Sequence, residues 1–209
     1  MKVEAVTIDA YGTLVTLRNP VPALRAALAR RDIARSAADV RRAFEAEVAF
    51  YVGRSHQGRD EATLALLRRD CARVFLETVR AELDPGNFAS AFVSSLTFAE
   101  VPGARDACRE LSAAGLQLAV VSNWDIGLHA HLEALGLTAV VDVVVTSAEA
   151  GAPKPAPAVF QLALARLSVD DPALAVHVGD APADREGAQA AGLHFEPAPL
   201  ADAAQRILA

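Results

Sequence analysis

Residues 2–9 read KVEAVTID, an apolar and β-branched run that stops at Asp9, and the turn AYGT follows at residues 10–13. A run of this kind, closed by a glycine within three positions, is typical of a strand that ends in a tight turn. The pattern therefore predicts a strand whose carboxyl end projects Asp9 into a crevice at the edge of a sheet.

Three further runs of the same character follow Val101 and alternate with helical patterns. They are LQLAVVSN at 116–123, VVDVVVTS at 140–147 and LAVHVGD at 174–180. Runs that are apolar on both faces suit buried parallel strands. The alternation of strand and helix predicts an α/β fold, a Rossmann-like, doubly wound parallel sheet with right-handed crossovers.

The stretch between these two regions is rich in arginine and alanine and carries apolar residues at helical spacing. The clearest sets are Val40, Phe44, Val48 and Tyr51, and then Leu67, Cys71, Val74 and Thr78. This spacing is typical of amphipathic helices. We therefore predict an all-helical module over residues 18–98, inserted into an α/β core of residues 1–17 and 99–209.

The composition and the net charge limit the classes of protein to which the chain can belong. No apolar stretch approaches the roughly 18 residues of a membrane span, and Met1 to Val6 lacks a signal-peptide pattern, so a cytoplasmic protein without membrane contact is expected. A net charge of -6 and a pI near 5.4 disfavour a nucleic-acid partner. Cys71 and Cys108 lack metal-ligand spacing and are expected to be reduced thiols. A monomer or homodimer acting on a small molecule fits these properties.

Polar residues follow each predicted strand. In a doubly wound sheet, ligands bind beyond the carboxyl ends of the strands, which selects residues 9–13, 122–125, 146–154 and 179–184. A carboxylate at Asp9 can serve as a nucleophile, although for an isolated aspartate at this position a turn or helix cap is the better interpretation. Asp180 and Asp184, four residues apart, can bind a hard cation through oxygen, and Asp184 can also cap the next helix.

Two other segments supply hydrogen-bond donors. Ser122 and Asn123 directly follow a strand, where they can either cradle an oxyanion or cap a helix. Lys154 lies in the proline-rich loop GAPKPAP, and it is the only lysine beyond Lys2, whereas 18 of the 20 basic residues are arginine. A compact ammonium suits both a phosphate and a carboxylate nucleophile.

Taken in order, IDAYGTL, VVSN, the lysine of APKPAP and VGDAPAD resemble the four motifs of the haloacid dehalogenase superfamily. The resemblance covers essentially the whole chain, with the helical cap between the first and second motifs. It implies a Mg²⁺-dependent phosphatase that acts on a small phosphorylated metabolite. The implied roles are nucleophile for Asp9, hydrogen bonding for Thr13 and Ser122, substrate binding for Ser122, Asn123 and Lys154, charge neutralisation for Lys154, and metal binding for Asp9, Asp180 and Asp184.

One position departs from the phosphatase pattern. Phosphatases of the superfamily usually carry a second aspartate two residues after the nucleophile, as general acid and base, whereas this chain has Tyr11. A phenol, with a reference pKa of about 10, can donate a proton but is a poor base at neutral pH. The backbone carbonyl of Tyr11 can still bind Mg²⁺. We therefore expect nucleophilic attack to survive and hydrolysis of the aspartyl phosphate to be slow.

Two alternatives remain open, and a third is disfavoured by the sequence. DAYGTL also resembles the first motif of metal-independent haloacid dehalogenases, although these replace the first aspartate of GDxxxD with a neutral residue. A catalytically weak protein that binds a phosphorylated ligand is a second alternative, favoured by Tyr11. Phosphonatase chemistry needs a cap lysine, which residues 18–98 lack. Further polar residues have weaker assignments: Arg54, His56 and Arg59 as anion contacts or a solvated loop, and His129, His131 and His177 as packing or capping residues.

Overall fold

The computed structural model describes residues 2–209, which divide into two compact units. One unit comprises the residues up to Thr16 together with Ala99–Ala209, and the other comprises Leu17–Phe98. The strands are β1 (Ala5–Ile8), β2 (Val15–Leu17), β3 (Phe98–Glu100), β4 (Gln117–Ser122), β5 (Val143–Thr146), β6 (Ala175–Gly179) and β7 (His194–Pro197). The helices are α1 (Val21–Ala29), α2 (Ala37–Val52), α3 (Glu61–Thr78), α4 (Pro85–Ser94), α5 (Ala104–Ala113), α6 (Leu128–Ala134), α7 (Ser147–Ala150), α8 (Ala158–Leu167), α9 (Pro182–Ala190) and α10 (Leu200–Leu208).

The first unit is built on a parallel sheet of five strands in the order β5-β4-β1-β6-β7. The chain adds β4 and β5 on one side of β1 and then β6 and β7 on the other. The carboxyl ends of β4, β1 and β6 are therefore neighbours at the point where the strand order reverses, which is where ligands bind in such sheets. This topology confirms the predicted α/β class.

The strands form where the sequence is apolar on both faces. All residues of β1 and β6 are buried, and α8 packs on the sheet through Val159, Phe160 and Leu164. Fully burying each such side chain contributes on the order of 1.5–3 kcal/mol, so the hydrophobic runs dominate the stability of this unit.

Several elements differ from the sequence-based expectation. The apolar run that starts at Val140 forms a strand only from Val143, because residues 137–140 make a 3-10 turn after Gly136, which has φ +66. The short strand β7 and helix α10 were not predicted. The strand β7 has only four residues, so its sequence carries little periodicity.

The second unit contains the helices α1 to α4, and aromatic rings fill its core. Phe75 stacks on Phe88 at a centroid distance of 6.0 Å and lies 5.2 Å from Phe92. Three helices begin at side-chain caps, in which Ser36, Asp60 and Asp84 accept hydrogen bonds from backbone N–H groups. These caps and the aromatic core explain why the arginine-rich segments fold as helices.

The cysteines and the apolar character of the helices complete the description of the fold. Cys71 in α3 and Cys108 in α5 are both buried, and neither is part of a disulfide. Among residues 2–209, no helix has the length and apolar character that crossing a membrane requires.

Candidate active site

Asp9 follows β1 directly and is almost fully buried. Its backbone N–H donates to the carbonyl of Val178 in β6 at 2.8 Å, which extends the sheet pairing to this residue. The chain then turns sharply at Gly12, whose φ is +90. A Cβ at Gly12 would lie 2.2 Å from Oδ2 of Asp180, so this position requires glycine both for its backbone conformation and for the close approach.

Lys154 makes the shortest contacts of the site. Its Nζ donates to Oδ1 of Asp9 at 2.5 Å, to Oδ1 of Asp184 at 2.6 Å and to the carbonyl of Val121 at 2.9 Å. These bonds use all three N–H groups of the ammonium. Burial alone would lower the pKa of Lys154, but the charges of Asp9 and Asp184 outweigh burial and raise the pKa. Lys154 therefore stays charged between two carboxylates.

The side chain of Asn123 holds the main chain of Lys154 in place. Its Nδ2 donates to the carbonyl of Lys154 at 3.0 Å, and its Oδ1 accepts from the N–H of Lys154 at 2.6 Å. Both ends of the amide are thus used for positioning the lysine loop. The expected contact between Asn123 and a substrate stays a prediction.

Three carboxylates converge at the ends of β1 and β6. Asp9, Asp180 and Asp184 each offer an oxygen, and these oxygens lie within 4.8 Å of one another. Asp184 also accepts a hydrogen bond from the N–H of Ala181 at 2.9 Å, so it caps α9 and belongs to the cluster at the same time. A Cβ at Gly179 would lie 2.5 Å from the Asp184 carboxyl carbon, which explains the glycine before Asp180. The second motif contributes Ser122, whose Oγ donates to Oδ1 of Asp9 at 3.4 Å.

The cluster carries more negative charge than Lys154 can neutralise. Burial, together with the charges of Asp184 and Asp180, raises the pKa of Asp9 to about 6 in spite of Lys154. Burial also acts to raise the pKa of Asp184, but hydrogen bonds from His177 and Lys154 and the charge of Lys154 lower it overall. Three carboxylates against one ammonium leave two negative charges. An all-oxygen set of this charge fits a hard divalent cation such as Mg²⁺.

Two residues of the first motif differ in their surroundings. Thr13 is completely buried, and its Oγ1 has no hydrogen-bond partner among the described residues. Such an orphaned hydroxyl is rare in a folded protein and is compatible with a contact to a ligand. Tyr11, in contrast, exposes 52% of its surface, and its ring centroid lies 6.5 Å from that of Trp124.

His177 is a member of the site that sequence reasoning missed. It was expected to pack or to cap, but its Nε2 lies 3.2 Å from Oδ1 of Asp184. Burial lowers the pKa of His177 to about 4, so the ring is neutral at neutral pH. The sequence signal was a histidine inside the otherwise apolar run LAVHVGD. Only the strand pairing shows which groups this histidine contacts.

The other polar candidates make contacts elsewhere. His129 lies 3.1 Å from Glu149, and the ring of His131 lies 6.0 Å from that of Trp124. Within the helical unit, the guanidinium of Arg54 stacks over Phe50 at 4.2 Å and donates to the backbone carbonyl of the same residue. Its expected contact with an anion stays a prediction.

Comparisons with known proteins agree with the motif order. Haloacid dehalogenase-like hydrolase domain-containing protein 3 of Homo sapiens is 45% identical over 104 residues, which is 49% of this chain and 41% of that protein. Ribulose-1,5-bisphosphate 5-phosphatase of Halopiger xanaduensis is 40% identical over 121 residues, which is 56% of this chain and 49% of that protein. The matches thus span less than half of each relative's length.

Solved structures share the fold across almost the whole chain. The magnesium-bound HAD-hydrolase YfnB of Bacillus subtilis has a TM-score of 0.77 at 17% identity and covers 100% of this chain and 99% of its own. L-2-haloacid dehalogenase RSc1362 has a TM-score of 0.74 at 18% identity, with both chains covered completely. At these identities the likeness concerns the fold alone. The family model for haloacid dehalogenase-like hydrolases matches residues 3–192, and the chain therefore belongs to the haloacid dehalogenase-like hydrolase family.

Proposed function

We propose that this hydrolase is a Mg²⁺-dependent phosphatase that acts on a small phosphorylated metabolite through an aspartyl phosphate on Asp9. The observation that carries the proposal is the convergence of Asp9, Asp180 and Asp184, with Lys154 bonded to Asp9 and Asp184. A carboxylate nucleophile that displaces halide without a metal is not helped by two further carboxylates. Their negative charges raise its pKa and favour its protonated form, which is not nucleophilic. A divalent cation removes that cost.

The proposed metal ligands are the carboxylates of Asp9, Asp180 and Asp184 with the backbone carbonyl of Tyr11. When bound, Mg²⁺ would neutralise the carboxylates and the phosphoryl oxygens. The orphaned hydroxyl of Thr13 supports a further contact, because it can donate to a phosphoryl oxygen.

The proposed reaction has two steps. In the first, a carboxylate oxygen of Asp9 attacks phosphorus, the bond from phosphorus to the leaving oxygen breaks, and the leaving oxygen takes a proton. In the second, water attacks phosphorus, the bond to Asp9 breaks, a proton of the water passes to a phosphoryl oxygen, and inorganic phosphate leaves. Lys154 and Ser122 both bind Oδ1 of Asp9, so they fix the rotation of the carboxylate. The phenol of Tyr11 can supply the proton of the first step but is a poor base for the second.

One relative supports the same class of substrate. The Halopiger xanaduensis protein is named a ribulose-1,5-bisphosphate 5-phosphatase, which acts on a small phosphorylated sugar. A specific observation favours a second candidate: Tyr11 stands where a phosphatase usually has its acid and base, and a solved L-2-haloacid dehalogenase shares the fold. The charge of the carboxylate cluster favours the phosphatase.

Metal removal tests the proposal. We expect hydrolysis of p-nitrophenyl phosphate and of a panel of sugar phosphates to cease in EDTA and to return with Mg²⁺. Asp180→Ala should greatly weaken the return, because it removes one of the three carboxylates. Asp202→Ala, which removes an exposed carboxylate of α10, is the matched control and should leave the response unchanged.

A parallel assay with chloropropionate measures the rival activity. Phosphate release that needs no metal, or halide release that persists in EDTA, would contradict the proposed function.

A further inference from the structure

A polar pair lies inside the apolar sheet next to the carboxylate cluster. Thr7 of β1 and His177 of β6 are direct partners in the parallel register, and both are completely buried. Their neighbours along the two strands are all apolar: Val6, Ile8, Val176 and Val178. Burying a polar atom costs free energy unless the atom is hydrogen-bonded. The hydrogen bonds of Thr7 and His177 therefore indicate the role of the pair.

The imidazole of His177 connects Thr7 to Asp184. Its Nδ1 lies 2.9 Å from the hydroxyl of Thr7, and its Nε2 lies 3.2 Å from Oδ1 of Asp184. An ionised carboxylate can only accept, so Nε2 carries the proton and donates to Asp184. Nδ1 also lies 3.1 Å from the backbone carbonyl oxygen of Thr7, so the hydroxyl and the carbonyl of Thr7 together hold this end of the ring. Phe160 meets the ring edge-on at a centroid distance of 4.9 Å, which further limits its rotation.

Asp184 is thereby held by donors from three directions. Oδ1 accepts from Lys154 at 2.6 Å and from His177, while Oδ2 accepts from the N–H of Ala181 at 2.9 Å. Lys154 also binds Asp9, so it cannot by itself define the orientation of Asp184. His177 is the donor that is anchored in the sheet.

We propose that His177 is a positioning residue that, together with Thr7, orients the Asp184 carboxylate for binding a divalent cation. The inference rests on the metal role given to Asp184 in the proposed function. Groups that orient a metal ligand typically change metal affinity by about 10- to 100-fold when they are removed. A purely structural role would instead change stability without a selective change in metal binding.

Direct measurement of metal binding tests this role without relying on activity. Mn²⁺ takes the same oxygen ligands as Mg²⁺, and electron paramagnetic resonance reports the free ion. We expect His177→Phe, which keeps a ring but loses the donor, to bind Mn²⁺ about 10- to 100-fold more weakly than the wild type. His177→Gln, which restores a side-chain N–H, should recover most of the affinity. Thr7→Val should cause a smaller loss in the same direction.

A packing control separates positioning from stability. Val176→Ala shortens a buried side chain of β6 that points to the opposite face of the sheet from His177, so it should lower the melting temperature and leave Mn²⁺ affinity unchanged. If His177→Phe does not fold, Thr7→Val carries the comparison with the wild type. Wild-type protein that binds no Mn²⁺ would overturn the proposed function itself. Wild-type protein that binds Mn²⁺, with equal affinity in the folded His177 and Thr7 variants, would overturn only this inference.

Discussion

Lys154 and the two carboxylates that it bridges set the chemistry at the scale of single residues. An ammonium with three acceptors at 2.5–2.9 Å cannot approach a substrate oxygen without weakening one of these bonds. A phosphoryl group can replace an acceptor because it carries negative charge of its own, whereas a neutral ligand offers less compensation. The residue-level geometry therefore favours an anionic substrate.

Tyr11 is the residue at which the rate should be limited. If the missing carboxylate slows dephosphorylation, p-nitrophenyl phosphate should give a burst of nitrophenol followed by a slow steady state. Tyr11→Asp should then accelerate the slow phase, because general acid-base assistance typically contributes about 100- to 10,000-fold. Stopped-flow absorbance measures both phases.

Tyr11→Phe is the matched control, since it removes the hydroxyl without adding a carboxylate. An unchanged or lower steady-state rate in folded Tyr11→Asp would contradict the claim that the missing carboxylate limits dephosphorylation. Tyr11 would then shape the pocket beside Trp124, whose ring lies 6.5 Å away.

At the scale of secondary-structure elements, the residues at the ends of the strands could be predicted from the sequence. The hydrogen bonds between elements could not. Asp9, Ser122 and Asp180 each follow an apolar run, and parallel strands bring their carboxyl ends to one edge, so sequence alone placed them near each other. The pairing of His177 with Thr7 depends on the register between β1 and β6, which no local pattern specifies. The amide of Asn123 likewise meets Lys154 only because two loops converge.

A buried acid in the helical unit gives a prediction about stability. Glu47 of α2 is almost fully buried, and burial raises its pKa from 4.5 to about 7, although a hydrogen bond from Cys71 acts in the opposite direction. An acid whose pKa is raised in the folded state contributes stability below its unfolded pKa and loses that contribution as the pH rises through its folded pKa. Glu47 should therefore destabilise the protein increasingly between pH 4.5 and about 7.

We expect Glu47→Gln to raise the free energy of unfolding by about 1–3 kcal/mol at a pH of about 8, and by much less near pH 5, because the amide needs no buried charge. Urea unfolding at the two pH values measures the difference. Glu45→Gln, which changes an exposed acid of the same helix, should have little effect at either. Equal stability of Glu47→Gln and the wild type at the higher pH would show that the Glu47 charge is compensated.

At the scale of the whole molecule, the strand order assembles one site from distant parts of the chain. Asp9 and Lys154 are 145 residues apart in sequence, and Asp184 lies another 30 residues beyond Lys154. The same fold serves a magnesium-bound hydrolase and an L-2-haloacid dehalogenase, so family membership defines the scaffold, and the proposed reaction rests on the carboxylate cluster. The central claim is therefore a covalent phosphoryl group on Asp9.

Peptide mass spectrometry after rapid acid quenching tests that claim most directly. Protein mixed with Mg²⁺ and p-nitrophenyl phosphate should carry one phosphoryl group on the peptide that contains Asp9, because slow hydrolysis lets the intermediate accumulate. The folded variant Asp9→Asn should neither turn over nor become labelled, because its amide is nearly isosteric with the carboxylate but is not a nucleophile. Steady phosphate release from wild-type protein with an unlabelled Asp9, or with the phosphoryl group on another residue, would contradict the account.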